Sequence, residues 1–290
     1  MRHFLTGSEL TTSELAALLA RAAELKQEPH SSQALANKSV ALIFERPSTR
    51  TRVSFEVGIA ELGGTPIVLR GDEMQLSRGE SPRDTALVLS RHVDAIAIRT
   101  GADSIIEELA EYATVPVINM LTAGHHPTQA LADLQTLNEN FGKLEGLTLA
   151  YVGDGNNVAR SLAILGHLAG VNVNIASPVG YQLESIRGAV LTTEPEDAVH
   201  GADAVYTDVW VSMNDDAASA DERRRVLAPY RLDERLLDLA SPHAIALHCL
   251  PAHPGEEISE GLLYGERQRI WDQAENRRHA QKALLEFLIG

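Results

Sequence analysis

The chain has 290 residues, 44% of them hydrophobic and 22% charged, with a formal net charge of −15. That length calls for two domains of about 130–150 residues each, and the acidic balance excludes general affinity for nucleic acid or an anionic membrane. The single cysteine, Cys249, has no partner for an intramolecular disulfide, which points to a reducing, cytoplasmic setting.

The first stretch, MRHFLTGSELTTSELAALLARAAELKQE, carries acids early and lacks a long apolar core. It predicts a soluble amphipathic helix rather than a signal peptide. No apolar run reaches the roughly 20 residues that span a bilayer. Short β-branched runs then recur: SVALIFE (39–45), PIVL (66–69), DAIAIR (94–99), VPVIN (115–119), LTLAYV (147–152), VNVNIA (171–176), DAVYT (203–207) and AIALH (244–248). Between most of them the apolar residues take helical spacing, as at Val53, Val57 and Ala60, or Phe55, Ile59 and Leu62, and Gly63-Gly64 supplies a helix stop. Continuous apolar strands alternating with amphipathic helices predict an α/β fold: two domains, each a parallel sheet flanked by helices, joined by interdomain helices. The polar stretch NENFGKLEG (138–146) is the best seam, giving a first domain over residues 1–137 and a second over 138–265. Residues 266–290 then form a C-terminal helix whose apolar tail (Ala280, Ala283, Leu284, Phe287, Leu288) packs back on the first domain.

The sequence FERPSTRTRVSFE (44–56) places Arg46, Arg50 and Arg52 within seven residues on an otherwise acidic chain. Pro47 forces a bend after the strand, and Ser48 and Thr49 are N-cap candidates for the helix that follows. Free N–H groups, the positive end of the helix dipole and a forked arginine together suit a phosphate. The competing reading is an ordinary N-cap followed by solvated arginines. Other strand ends also carry polar groups. Arg99 closes DAIAIR; His126, Thr128 and Gln129 lie in GHHPTQALADLQT; His248-Cys249-Leu250-Pro251 follows AIALH. Taken singly, a histidine is more often structural than catalytic and a buried cysteine is usually inert. GDGNNVARS (153–161) has the first two glycines of a dinucleotide loop, but Val158 stands in place of the third, and no acid ends VNVNIA to hold a ribose. Its two asparagines suit a small carboxylate or amide instead. Metal-ligand spacing, Walker and nucleophile-elbow patterns are all missing, so neither a cofactor nor a metal is expected.

Together these strand ends resemble the aspartate/ornithine carbamoyltransferase family, nearly from end to end. Ser48-Thr49-Arg50-Thr51 matches its carbamoyl phosphate loop STRT, Arg99 its strand-end arginine, and His126-Pro127-Thr128-Gln129 its HPxQ motif. The ornithine branch is indicated by Asp208-Val209-Trp210-Val211-Ser212-Met213, similar to DxWxSM, and by the HCLP run at 248–251 where aspartate enzymes have HPLP. Glu275-Asn276-Arg277 resembles the segment whose arginine returns to the donor. The resemblance implies carbamoyl transfer from carbamoyl phosphate to the δ-amine of L-ornithine, a step of arginine biosynthesis. It implies donor binding by Ser48, Thr49, Arg50, Thr51, Arg99, His126, Pro127, Thr128, Gln129, Cys249, the carbonyl of Leu250, and Arg277. Ornithine would be held by Asn157, Asp208, Ser212 and Met213, and catalysis carried by Arg50, Arg99, His126 and Cys249. Gln75 would complete a neighbouring subunit's site, in a homotrimer or a multiple of trimers. Three departures bear on the amine more than on the donor: Asn214 follows Met213 where glycine is usual, the stretch between VNVNIA and DAVYT is short, and Gly101 stands where an aromatic residue is common. Another acceptor (putrescine or an N-acylated ornithine) and a non-enzymatic carbamoyl phosphate-binding paralogue are the alternatives.

Overall fold

The structure is a computed structural model, and it describes residues 2–74, 79–211 and 217–290. The chain divides into two compact units, Met1–Gln135 with Glu275–Gly290, and Thr136–Ala274.

The first unit opens with α1 (Thr12–Gln27), whose start is a capping box: Thr11 accepts from the Glu14 amide while the Glu14 carboxylate accepts from the Thr11 amide. Then follow β1 (Ser39–Phe44), α2 (Thr49–Glu61), β2 (Thr65–Arg70), α3 (Pro82–Leu89), β3 (Ala95–Arg99), α4 (Asp103–Tyr112), β4 (Val117–Leu121) and α5 (Pro127–Phe141). The sheet order is β2-β1-β3-β4, every pair parallel, with Val40 opposite Ala95 and Phe44 opposite Arg99. Ala41, Ile43, Ile96 and Ile98 pack against Ala86, Ile106 and Leu109 from α3 and α4. This burial explains why the central strands are uninterrupted apolar runs. At the end of α2, Gly63 takes φ +80°, and a Cβ on Gly64 would come 2.8 Å from the Leu35 Cβ. The pair both stops the helix and lets the next strand pass close by.

The second unit contains β5 (Thr148–Val152), α6 (Asn157–Leu168), β6 (Asn172–Ala176), β7 (Ala189–Thr192), α7 (Pro195–Val199), β8 (Ala204–Thr207), α8 (Ala217–Leu227), α9 (Glu234–Leu237), β9 (Ile245–His248) and α10 (Glu260–Tyr264). Its parallel sheet has the order β7-β6-β5-β8-β9. The strand that sequence pattern missed is β7. It is an edge strand with no fully buried residue, and Val190 is 65% exposed. Its apolar run is only three residues long, Ala189-Val190-Leu191, so the signal is short. The last helix is α11 (Ile270–Ile289). Both unit boundaries fall inside helices, α5 and α11, so the units are joined by helix rather than by loop.

Within the first unit, the C-terminal part of α11 is fastened by more than its apolar residues. Lys282 is fully buried, and its Nζ donates to Glu61 Oε2 at 2.7 Å and to the Pro29 carbonyl. A buried ammonium is tolerated because its charge and its donors are both matched.

In each sheet the strand order reverses once. Chain order moves outward from β1 to β2, then returns to the other side with β3; from β5 it moves to β6 and β7, then returns with β8. Ligands of open α/β sheets bind outside the carboxyl ends of the strands flanking such a reversal. Those ends are Phe44 and Arg99 in the first unit, and Val152 and Thr207 in the second.

Candidate active site

In the first unit the segment after β1 turns into α2 through Ser48, an extended residue whose hydroxyl caps the helix by accepting from the Thr51 amide at 3.4 Å. The Glu45 amide donates to the Arg99 carbonyl at 3.1 Å, which ties this turn to the end of β3. Thr51 is buried, and its hydroxyl accepts from Arg277 Nη2 at 2.7 Å. Arg277 is 2% exposed and also donates through Nη1 to Gln129 Oε1, while Gln129 Nε2 donates to Asp133 Oδ1 at 2.8 Å. One buried guanidinium thus ties together the starts of α2 and α5.

The three arginines of the 44–56 run have different roles. Arg52 is exposed and pairs with Glu56 one turn on, at 3.3 Å, which is the solvated reading. Arg46 is exposed and lies over Gly101, where a Cβ would come within 3.2 Å of its Nη2. The guanidinium occupies the space that an aromatic residue at 101 would need. Arg50 is half-buried, and its charge acts on His126.

His126, at the start of α5, is 5% exposed. Burial, and then the positive fields of Arg277, Arg99 and Arg50, push its pKa well below the ordinary imidazole value. The ring is neutral at pH 7 and has one N–H to donate. Because the folded value is depressed, the unfolded chain binds the extra proton first. The stability that this residue contributes is present above the imidazole's ordinary value of 6.5 and is lost as pH falls toward the depressed one. Thr128 is buried and donates to the Met120 carbonyl at 3.3 Å, so its hydroxyl is bound to the end of β4. A depression of about 430 Å³ beside the turn is lined by Ser48, Thr49, Arg52 and Arg70, but not by Arg50, Arg99 or His126.

The second unit builds a separate cluster at the ends of β5, β8 and β9. Asn156 caps α6, its Oδ1 accepting from the amides of Val158 at 2.9 Å and Ala159 at 3.2 Å. Its Nδ2 donates to Asp208 Oδ2 at 2.8 Å. Asp208 Oδ1 accepts from Cys249 Sγ at 2.9 Å and from the Val209 amide at 2.8 Å. Thiol, carboxylate and amide therefore form one chain of hydrogen bonds. Tyr151 donates to Asn156 at 3.2 Å, and burial, then the negative charges of Asp208 and Asp154, hold its phenol well above the usual value. Arg223 in α8 donates from Nε to the Trp210 carbonyl at 2.7 Å and from Nη2 to Asp154 Oδ2, with its guanidinium 5.0 Å over the Tyr181 ring. It anchors the start of the segment that follows Asp208. Asn157 is half-buried on the first turn of α6. Gln75, Ser212 and Met213 lie outside the described residues.

Among the described residues, two groups have ligand atoms close enough to share a metal ion: Asp208, His248 and Cys249, and His253, Glu256 and Glu257, each within 4.8 Å. Chain spacing could not reveal the first, because it forms only where β8 and β9 lie side by side. Its thiol and carboxylate are bonded to each other.

Residues 2–139 match the family model for the carbamoyl-P binding domain of aspartate/ornithine carbamoyltransferases, and residues 145–288 match that for the Asp/Orn binding domain. An ornithine carbamoyltransferase of Parafrankia sp. (strain EAN1pec) is 53% identical over 305 residues, covering 99% of this chain and 96% of that protein. Among solved structures, ornithine carbamoyltransferase from Pyrococcus furiosus superposes with a TM-score of 0.94 at 44% identity, over 100% of this chain and 97% of its own. An acetylornithine transcarbamylase complexed with acetylcitrulline is similar at a TM-score of 0.87 and 30% identity, over the whole of both chains. The strand-end residues, the two matched domains and relatives sharing about half of their residues agree: this chain belongs to the aspartate/ornithine carbamoyltransferase family.

Proposed function

We propose that the protein is an ornithine carbamoyltransferase, converting carbamoyl phosphate and L-ornithine to L-citrulline and phosphate in arginine biosynthesis. The observation that carries the ornithine reading is the hydrogen bond of 2.9 Å between the thiol of Cys249 and the buried carboxylate of Asp208. It joins the two motifs that mark the ornithine branch, and it leaves a carboxylate where a cationic amino acid needs a counter-charge.

In this reading the first unit holds the donor. Arg50, Arg99 and the amides of the 48–51 turn clamp the phosphate, with Ser48 and Thr49 supplying the cap geometry. His126, Thr51 and Arg99 donate to the carbamoyl oxygen as charge develops on it. A neutral His126 suits this task, since it stabilises an oxyanion without transferring a proton. Gln129 and Arg277 are already bonded to each other, so the guanidinium is placed before the donor arrives. The second unit holds the amine: Asp208 and Asn157 take the α-amino and α-carboxyl groups, Ser212 and Met213 assist, and Cys249 places the δ-nitrogen. The unprotonated δ-nitrogen attacks the carbonyl carbon, a C–N bond forms, the C–O bond to phosphate breaks, and the nitrogen's proton leaves to phosphate or solvent. No covalent enzyme intermediate is required.

Citrulline-type product formation from carbamoyl phosphate with ornithine, putrescine, N-acetylornithine or aspartate, run in parallel, tests the acceptor. Ornithine is expected to give the fastest turnover. Equal or faster turnover with putrescine or N-acetylornithine would remove ornithine and leave the carbamoyltransferase class standing.

We further propose a homotrimer, or a multiple of trimers, in the cytoplasm, with Gln75 of one chain completing the site that holds Arg50 of the next. In a cyclic ring, an inactive Arg50→Ala protein and an inactive Gln75→Ala protein should complement after subunit exchange. Random equal mixing makes about a quarter of all sites wild type at both positions. A remixed sample that stays inactive, with exchange demonstrated by mass, rules out the shared site.

A further inference from the structure

We propose that Glu257 is a positioning residue for the Cys249–Leu250 corner and that it acts through His248. The catalytic part of this inference rests on the carbamoyltransferase reading above. His248 ends β9 and is 1% exposed; Glu257 is fully buried. The Leu250 amide lies 2.8 Å from His248 Nδ1, and an amide can only donate, so Nδ1 must be the bare nitrogen. The ring proton then sits on Nε2, which donates to Glu257 Oε1 at 3.2 Å. Glu257 Oε1 is itself held by the His253 amide at 2.5 Å.

This relay acts on an unusual backbone. Leu250 takes φ +60°, and with Asn37 it makes up the two non-glycine residues of positive φ among the described residues. A bulky side chain does not hold that conformation unless its surroundings impose it. The bond from the Leu250 amide to His248 is one such restraint, and it exists only while the imidazole keeps its orientation and tautomer. A second restraint comes from Gln273, whose Oε1 accepts from the His248 amide at 3.0 Å and whose Nε2 donates to the Tyr206 hydroxyl at 3.0 Å. The corner carries Cys249, bonded to Asp208, and the Leu250 carbonyl, to which the family resemblance gives a donor-binding role. Glu257 itself touches neither group. It determines where they stand.

The relay depends on reach rather than charge, and two substitutions separate these properties. Glu257→Gln keeps the length. Both partners of Oε1 are donors, so the amide oxygen takes that place and its NH2 turns toward His253 Nδ1, which lies 3.6 Å from Oε2. Glu257→Asp keeps the charge but retracts the acceptor by one methylene. Cys249 is the sole cysteine, so its alkylation by iodoacetamide reports on the corner without relying on catalysis. At a temperature below each variant's melting midpoint, the glutamine protein is expected to alkylate within about threefold of wild type and the aspartate protein about tenfold faster. Turnover should follow the same order, with the aspartate protein about 10- to 100-fold slower, since a displacement near 1 Å has that effect on a reacting pair. Equal alkylation in all three proteins overturns the proposal. So does the reverse order, with aspartate protected and glutamine labelled, because Glu257 would then act as a buried charge. If alkylation follows the expected order while no protein forms citrulline, the relay stands and the ornithine reading fails.

Discussion

An Arg50→Ala protein is expected to lose at least about two orders of magnitude in turnover, because a phosphate would lose a charged, forked partner in a pre-arranged site. Arg50 stands on the first turn of α2, and its side chain is half-buried, so its removal leaves no cavity in the core. The melting temperature should therefore stay near that of wild type. The cation also contributes to the depressed pKa of His126, fourth after burial and the fields of Arg277 and Arg99. Its loss should let that value rise but not reach normal, since the larger causes remain. Arg52→Ala is the matched control: an exposed arginine paired with Glu56 on the helix surface is worth little. It should keep turnover within about twofold of wild type. Citrulline production and thermal melting of the two proteins decide the matter, and an active Arg50→Ala enzyme would reduce the whole run to a solvated helix start.

Asp208→Ala is expected to lower kcat/KM for ornithine by about two orders of magnitude or more, through two effects that add. The substrate's ammonium loses its counter-charge. The protein also loses the carboxylate that accepts from both Cys249 Sγ and Asn156 Nδ2, at 2.9 and 2.8 Å, so these half-buried groups are no longer held together. Donor binding should be spared, because Arg50, Arg99, His126 and Arg277 all belong to the other unit. Calorimetric titration with carbamoyl phosphate alone separates the halves. A collapse of donor binding in Asp208→Ala would place this carboxylate on the wrong side of the reaction.

Much of this was legible before any fold was known, for identifiable reasons. The central strands announce themselves because both faces of a parallel sheet are covered, so Ala41 to Ile43 and Ala95 to Ile98 must all be apolar. The turn into α2 is legible because its signals are local: Ser48 caps the helix that Arg50 belongs to, and Pro47 stands just before it. The motif HPTQ likewise places His126 and Gln129 within a single helix start.

Other features could be decided only by the tertiary structure. Sequence alone could not divide the three arginines of one run between solvent, Gly101 and His126, since that depends on which way each side chain leaves the turn. Arg277 reaches Thr51 and Gln129 across 226 and 148 positions of sequence because α11 returns to the first unit. Asp208 meets Cys249 because β8 and β9 are neighbours, and His248 meets Glu257 because the chain folds back after β9. Local periodicity records which faces are buried and which backbone groups need capping. Strand order and helix return determine which distant polar groups share one low-dielectric space, and no local signal encodes that partnership.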